Sequence, residues 1–227
     1  MRIIVLGATG MAGTAVVNEA LSRGHEVTAV SRRRRHRAGA GVTSCLLDVT
    51  DVESVAGLLK DSDAAVVALR PPAGHESDLV RLTEAVLDAA SRSRTPLLII
   101  GGAAPLSSPS DPGTLAIDDP TIVPPAWKDV AQASLNQFRA CQAHSYEGWV
   151  YLSPPAIFGS GDAAGSYRRG TTTLLVDSQG QSRISPEDLA LAVVDELEHP
   201  GGQQHFTVVA SMPETGRPLG PPEAEAD

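Results

Sequence analysis

Glycines stand at positions 7, 10 and 13 in the string GATGMAG, directly after an apolar run over residues 2–6 and directly before a stretch with helical spacing. Residues lacking a side chain let the backbone turn sharply there and bring N–H groups close to a charged oxygen, and the dipole of a helix starting at that point adds to the attraction. The chemistry such a turn can do is to hold a diphosphate. Thr9 and Met11 lie inside the same turn and join Gly7, Gly10 and Gly13 as candidate contacts.

A second group follows the next strand as Ser31, Arg32 and Arg33. Turns that grip NAD usually place Asp or Glu at this point to accept from a ribose hydroxyl, whereas a guanidinium can pair bidentately with a 2′-phosphate. The expected cofactor is therefore NADP(H), ahead of NAD(H). Five of the 18 basic residues crowd into residues 32–37, and Arg34, Arg35 and Arg37 are read as solvated. Asp48 and Val49 come after the third strand, where a carboxylate and the next amide can meet an adenine amino group; equally, Asp48 can serve as a turn residue before Thr50. Ala68, Leu69 and Arg70 close the fourth strand with a turn small enough to pass over a ribose. Gly101 and the pair Ser153-Pro154 follow the fifth and sixth strands, where a nicotinamide and its substrate would meet.

Four residues are candidates for the chemical step. His75 lies just past the fourth strand and either faces substrate or is a solvated loop histidine. Trp127 and Lys128 open a helix after a long loop, offering an aromatic face and a cation, or else a hydrophobic staple and a solvated amine. Tyr167, with Arg168 beside it, could close over the pocket. None of Tyr146, Tyr151 and Tyr167 has a lysine four residues later, and lysine occurs only at 60 and 128. A proton relay in which Lys lowers the pKa of Tyr is thus missing, which favours an acceptor that takes hydride without one.

These residues need a frame that sets them along one edge. Residues 2–6, 27–30, 42–47, 64–69, 97–100, 149–152 and 204–209 read as strands, with a further short strand over 172–176. Helical spacing covers 11–23, with Gly24 as left-handed cap, then about 50–60 from a capping box at Thr50 and Glu53, 77–91, 127–143, and a last helix opened by Ser185-Pro186. Such alternation predicts an α/β fold: a Rossmann-type, doubly wound, mostly parallel sheet with a small C-terminal substrate lobe. One domain is expected over 1–211, with pocket segments at 101–126 and 154–185 and a disordered tail over 212–227. The Pro- and Ser-rich segment 101–125 reads as a lid or a partly mobile loop.

The chain of 227 residues carries a net charge of −9, 42% hydrophobic residues and a mean hydropathy of −0.04, which excludes a basic nucleic-acid-binding protein and a membrane-embedded one. A first strand beginning at residue 2 leaves no room for a leader, so a cytoplasmic location is expected. Cys45 and Cys141 lack metal or disulfide spacing and read as buried small apolar residues. The expected partner is a small-molecule substrate, with a homodimer left open.

GATGMAG, Asp48-Val49, GGAAPL, WVYLSPPAIF and the string LLVD-x-x-G-x-SRIS-x-EDLA together resemble the atypical short-chain dehydrogenase/reductase superfamily. The resemblance is to its NAD(P)H-binding branch of NmrA-like proteins, flavin reductases of the NADH type and biliverdin-IXβ reductases. It implies cofactor contacts at Gly7, Thr9, Gly10, Met11, Arg32, Asp48, Ala68 and Ser153-Pro154. Relatives often carry serine where Ala104-Pro105 stand, so a hydroxyl donor to substrate is missing there; Ser107 and Ser108 are its only nearby substitutes. The activity implied is NADPH-dependent hydride transfer to a planar conjugated molecule such as a flavin or quinone. The alternatives are a non-catalytic NADP(H) sensor of the NmrA type, or a non-redox isomerase, cyclase or dehydratase reusing the fold.

Overall fold

The structure, a computed structural model, describes residues 1–33, 39–159, 161–177 and 179–211. Arg34, Arg35, Arg37 and the tail from 212, expected to be solvated and disordered, lie outside the described residues.

The apolar runs become strands because each can bury both of its faces. These are β1 (Arg2–Leu6), β2 (Glu26–Ser31), β3 (Val42–Leu46), β4 (Ala64–Val67), β5 (Leu97–Ile100), β6 (Trp149–Ser153), β7 (Ile157–Phe158), β8 (Tyr167–Gly170), β9 (Arg183–Ile184) and β10 (His205–Ala210). Between them lie α1 (Met11–Ser22), α2 (Val52–Leu59), α3 (Asp78–Ser93), α4 (Lys128–Ala143) and α5 (Pro186–Glu198). The main sheet has the order β3-β2-β1-β4-β5-β6-β10-β8, parallel throughout except for β8, and β7 pairs with β9 in a separate two-stranded sheet. The order reverses between β1 and β4, the switch point at which open α/β sheets bind ligands beyond their carboxyl ends.

Two cores flank the sheet. On one face Ile3, Val5, Val66, Leu98, Leu152 and Phe206 pack with Val16, Val17, Leu189 and Val193 from α1 and α5. On the other, Ile4, Leu6, Val67, Ile99 and Tyr151 pack with Val55, Leu59, Val86, Leu87 and Cys141 from α2, α3 and α4. The ends of α1 and α5 are joined by Arg23, which reaches Glu19, Asp195 and Glu198 at 2.6, 2.6 and 2.7 Å. Gly24 has φ +80, the left-handed cap expected of it.

Three local expectations are corrected. The cap of α2 is Asp51, which accepts from Ser54 N at 3.1 Å, and Thr50 instead turns back on Asp48. The short strand expected over 172–176 is absent apart from a bridge between Thr173 and Ser107, because Leu174 is drawn into a small core with Leu106 and Ala116. In its place Tyr167–Gly170, where no strand was expected, pairs antiparallel with β10.

The segment between β5 and α4 is a tied structure. Asp111 accepts from Gly113 N and Thr114 Oγ1, Ser108 Oγ donates to Asp119 at 3.0 Å, and Lys128 Nζ donates to Ile117 O at 2.5 Å. Ala104, Leu115, Ile117 and Leu135 form its own apolar cluster. No helix among the described residues is long and apolar enough to cross a membrane.

Candidate functional site

The glycine turn is fixed by its own backbone. Gly7 and Ala8 N–H groups donate to Val30 O at 3.0 and 3.1 Å, and Gly10 N–H donates to Gly7 O at 3.0 Å. Gly7 has φ +90, and a Cβ there would sit 2.3 Å from Ala68 O; a Cβ on Gly13 would sit 2.2 Å from Gly7 O. Neither position has room for a side chain, so the two glycines serve the close packing of β1, α1 and the turn after β4.

That turn leads into a helix start of an unusual kind. Gly10 caps α1 with no side-chain hydrogen bond, and α1 has no acidic residue in its first turn. Each of the other four α-helices carries one there: Glu53, Asp78, Asp129, and Glu187 with Asp188. Among the described residues, no side-chain cap and no carboxylate of its first turn meet the amides at the start of α1, where the helix dipole favours negative charge.

Beside it lies a cleft of about 230 Å³ lined by Gly7, Thr9, Gly10, Val30, Ser31, Arg32, Leu47, Val49, Ala68, Leu69, Arg70 and Leu82. Its walls of Val30, Leu47, Val49, Leu69 and Leu82 are apolar and suited to a flat base, while Arg32 and Arg70 bring positive charge to its rim. The residues present thus fit a dinucleotide: amides for the diphosphate, an apolar slot for adenine, and a guanidinium at the end of β2 for its ribose.

Of the expected cofactor contacts, Gly7, Thr9, Gly10, Ser31, Arg32, Val49, Ala68, Leu69 and Arg70 come together in this cleft. Arg33 and Met11 are exposed beside it, outside the lining. Asp48 points its Oδ1 at Thr50 N (3.0 Å) and Thr50 Oγ1 (2.8 Å), the turn role. Those two donors, with Arg32 nearby, hold its carboxyl below the usual range. Gly101 is required for packing, since a Cβ would lie 1.9 Å from the Tyr151 hydroxyl. Ser153 and Pro154 are buried at the end of β6, and Ser153 Oγ is paired with His205 Nε2 at 2.9 Å.

The candidates for chemistry do not converge. His75 is exposed, with its ring 3.7 Å from Asp78. Trp127 is 57% exposed and lies outside the cleft lining. Lys128 is held by Ile117 O, and its amine lies 3.6 Å from Asp118. The Tyr167 hydroxyl is engaged away from the glycine turn: it donates to Asp195 at 2.7 Å, beside Arg23. Arg23 follows the C-terminal end of α1, opposite to the end that the glycine turn opens. Tyr146 donates to Thr95 O at 2.7 Å, and Tyr151 to Ser134 O at 3.0 Å. Burial raises the pKa of all three phenols, so all are kept protonated and engaged within the fold. Ser108, a possible replacement hydroxyl, is buried against Asp119 and Ser110.

Three features escaped the sequence reading. Val30, Leu47 and Leu82 line the cleft, and the first two could have been found from their place at the end of β2 and just after β3. His205 carries no local signal: burial beside Phe138 lowers its pKa to about 4. The burial of Asp188, read as part of a helix start, was not foreseen.

Sheet order, glycine turn and cleft define a dinucleotide-binding Rossmann protein. The chain belongs to the NAD(P)H-binding family, whose model matches residues 7–200. It is 35% identical over 213 residues to YwnB of Bacillus subtilis, covering 92% of this chain and 99% of that protein. A Streptococcus pneumoniae structure, a proposed NADH-flavin reductase, is 26% identical with TM-score 0.84, over 93% of this chain and 100% of the other. A proposed epimerase from Bacteroides thetaiotaomicron is 31% identical with TM-score 0.83, over 93% and 98%. A short-chain dehydrogenase/reductase from Veillonella parvula in complex with NADP shares the fold at 14% identity and TM-score 0.71, over 94% and 95%.

Proposed function

We propose that this protein is an NADPH-dependent oxidoreductase that delivers hydride to a flat conjugated acceptor such as a flavin or quinone. The observation that carries this reading is the start of α1, capped by a glycine and free of carboxylates in its first turn, opening on a cleft that Arg32 lines. Bound NADPH supplies the hydride. The chain's own part is to hold and orient: the first amides of α1 take the diphosphate, Val49 and Leu69 face the base, and Arg32 grips the 2′-phosphate. The three tyrosine hydroxyls are engaged elsewhere, so the acceptor must bring its own means of taking up a proton. The relative proposed to be an NADH-flavin reductase agrees with that class of acceptor.

The same engagement of the tyrosines favours a second reading, a dinucleotide sensor without turnover. Acceptor-dependent loss of NADPH absorbance with flavin and quinone panels separates the two: turnover selects the reductase, and tight binding with no turnover selects the sensor. Arg32→Ala tests the cofactor assignment. Loss of a charge-assisted contact should raise the Kd for NADPH by about 10- to 100-fold and leave that for NADH within about twofold. An equal effect on both coenzymes would refute the 2′-phosphate role.

A further inference from the structure

Asp188 is fully buried in the first turn of α5, and both of its oxygens are used. Oδ1 accepts from Gly165 N–H and Oδ2 from Ala164 N–H, each at 2.9 Å, and Oδ2 also accepts from Ser185 Oγ at 2.9 Å. Ser185 Oγ in turn caps the helix by accepting from Asp188 N at 3.0 Å. Two successive backbone amides thus close on one carboxylate, which the start of α5 stabilises further. Gly165 has φ +71, the left-handed turn that lets both amides face the same way. Ahead of this anchor, Gly161, Asp162 and Ala163 are exposed.

The anchored segment belongs to the cofactor edge of the sheet. It follows β6 and β7, and α5 packs beside α1, whose first turn carries Gly13 and follows Gly7 and Gly10. The adenosine cleft straddles the switch point and is lined from the ends of β1, β2, β3 and β4. The other half of a dinucleotide must then run toward the ends of β5 and β6, where the segment begins.

We infer that Asp188 is a positioning residue that fastens residues 161–166 as a strap beside the nicotinamide half of the cofactor; this rests on the dinucleotide reading above. The carboxylate touches neither cofactor nor acceptor in this scheme and acts only through the two amides. Asp188→Asn places an NH2 group against one of those N–H donors whichever way the amide is turned. Ser185→Ala removes the helix cap and leaves both strap bonds in place, so it serves as the control for a purely structural loss.

The test is amide hydrogen exchange on the full chain, alone, with NADPH, and with adenosine 2′,5′-bisphosphate, which can fill only the adenosine half. In the wild type, NADPH should slow exchange at both 7–13 and 161–166, and the bisphosphate at 7–13 alone. In Asp188→Asn, Ala164 and Gly165 should exchange at least about tenfold faster, the effect expected on local opening when charge-assisted bonds are lost. The Kd for NADPH should rise several-fold in the same variant, with that for the bisphosphate unchanged. Ser185→Ala should match the wild type at 164 and 165. Protection of 7–13 without protection of 161–166 overturns the strap and leaves the dinucleotide site standing. Equal weakening of both ligands by Asp188→Asn reduces the residue to a fold role. If NADPH protects neither segment, the dinucleotide reading falls and the strap with it.

Discussion

Gly13 has no choice of side chain, because a Cβ would lie 2.2 Å from the carbonyl oxygen of Gly7 and 2.9 Å from the Cα of Ala8. Gly13→Ala should cost about 1–3 kcal/mol, the usual range for overpacking, measured by urea denaturation. It should also weaken NADPH binding, by pushing the first turn of α1 off the diphosphate. His205 makes a separate prediction. Burial lowers its pKa from 6.5 to about 4, so in this window the unfolded chain binds the extra proton and the native state does not. The contribution is complete above about pH 6.5 and is lost as the pH falls toward 4. Thermal unfolding across that range should show a shallower pH slope for His205→Asn than for the wild type; an identical slope refutes the assignment. The glycine turn was legible because its logic is local, three positions between a strand and a helix. Tyr167 and His205 were not, since the one is decided by Asp195 and the other by Ser153 and Phe138, all of them distant in the chain.

Helices and strands followed the same division. Buried parallel strands such as Arg2–Leu6 and Ala64–Val67 announce themselves as apolar runs, and the order of elements follows from their alternation with helices. The edge strand Tyr167–Gly170 carries two arginines and no alternation, so nothing local marks it. Only tertiary contacts do: Arg169 pairs with Glu196 and lies over the Phe206 ring at 3.8 Å, and Tyr167 reaches Asp195. At this scale the junction of α1 and α5 is the testable one. Arg23→Met removes the cation shared by Glu19, Asp195 and Glu198. Partly exposed ion pairs of this kind contribute modestly each, so a loss of about 1–3 kcal/mol near neutral pH is expected for the set. Arg23 lowers the pKa of both Asp195 and Glu198. Their contribution is therefore present above the unfolded carboxylate pKa and lost as the pH falls below it, and the gap between variant and wild type should narrow on acidification. A gap that stays constant down to pH 3 would assign the effect to packing.

For the molecule as a whole, ligand binding is linked to unfolding. At a concentration of 100 times its Kd, NADPH should stabilise the native state by about 2.7 kcal/mol. For a chain of 227 residues this corresponds to a rise in Tm of roughly 5–10 °C, and the same concentration of NADH should give clearly less. Equal shifts for the two coenzymes would argue against discrimination by Arg32.

Strand order adds a consequence for how such chains diversify. Because the sheet changes direction between β1 and β4, the residues lining the adenosine cleft all come from Gly7–Leu82, whereas the lobe built from Ala103, Leu106, Ala116 and Leu174 comes later in the chain. On the function proposed above, a hybrid joined to a homologue in the middle of α3 would inherit its coenzyme preference from one parent and its choice of acceptor from the other.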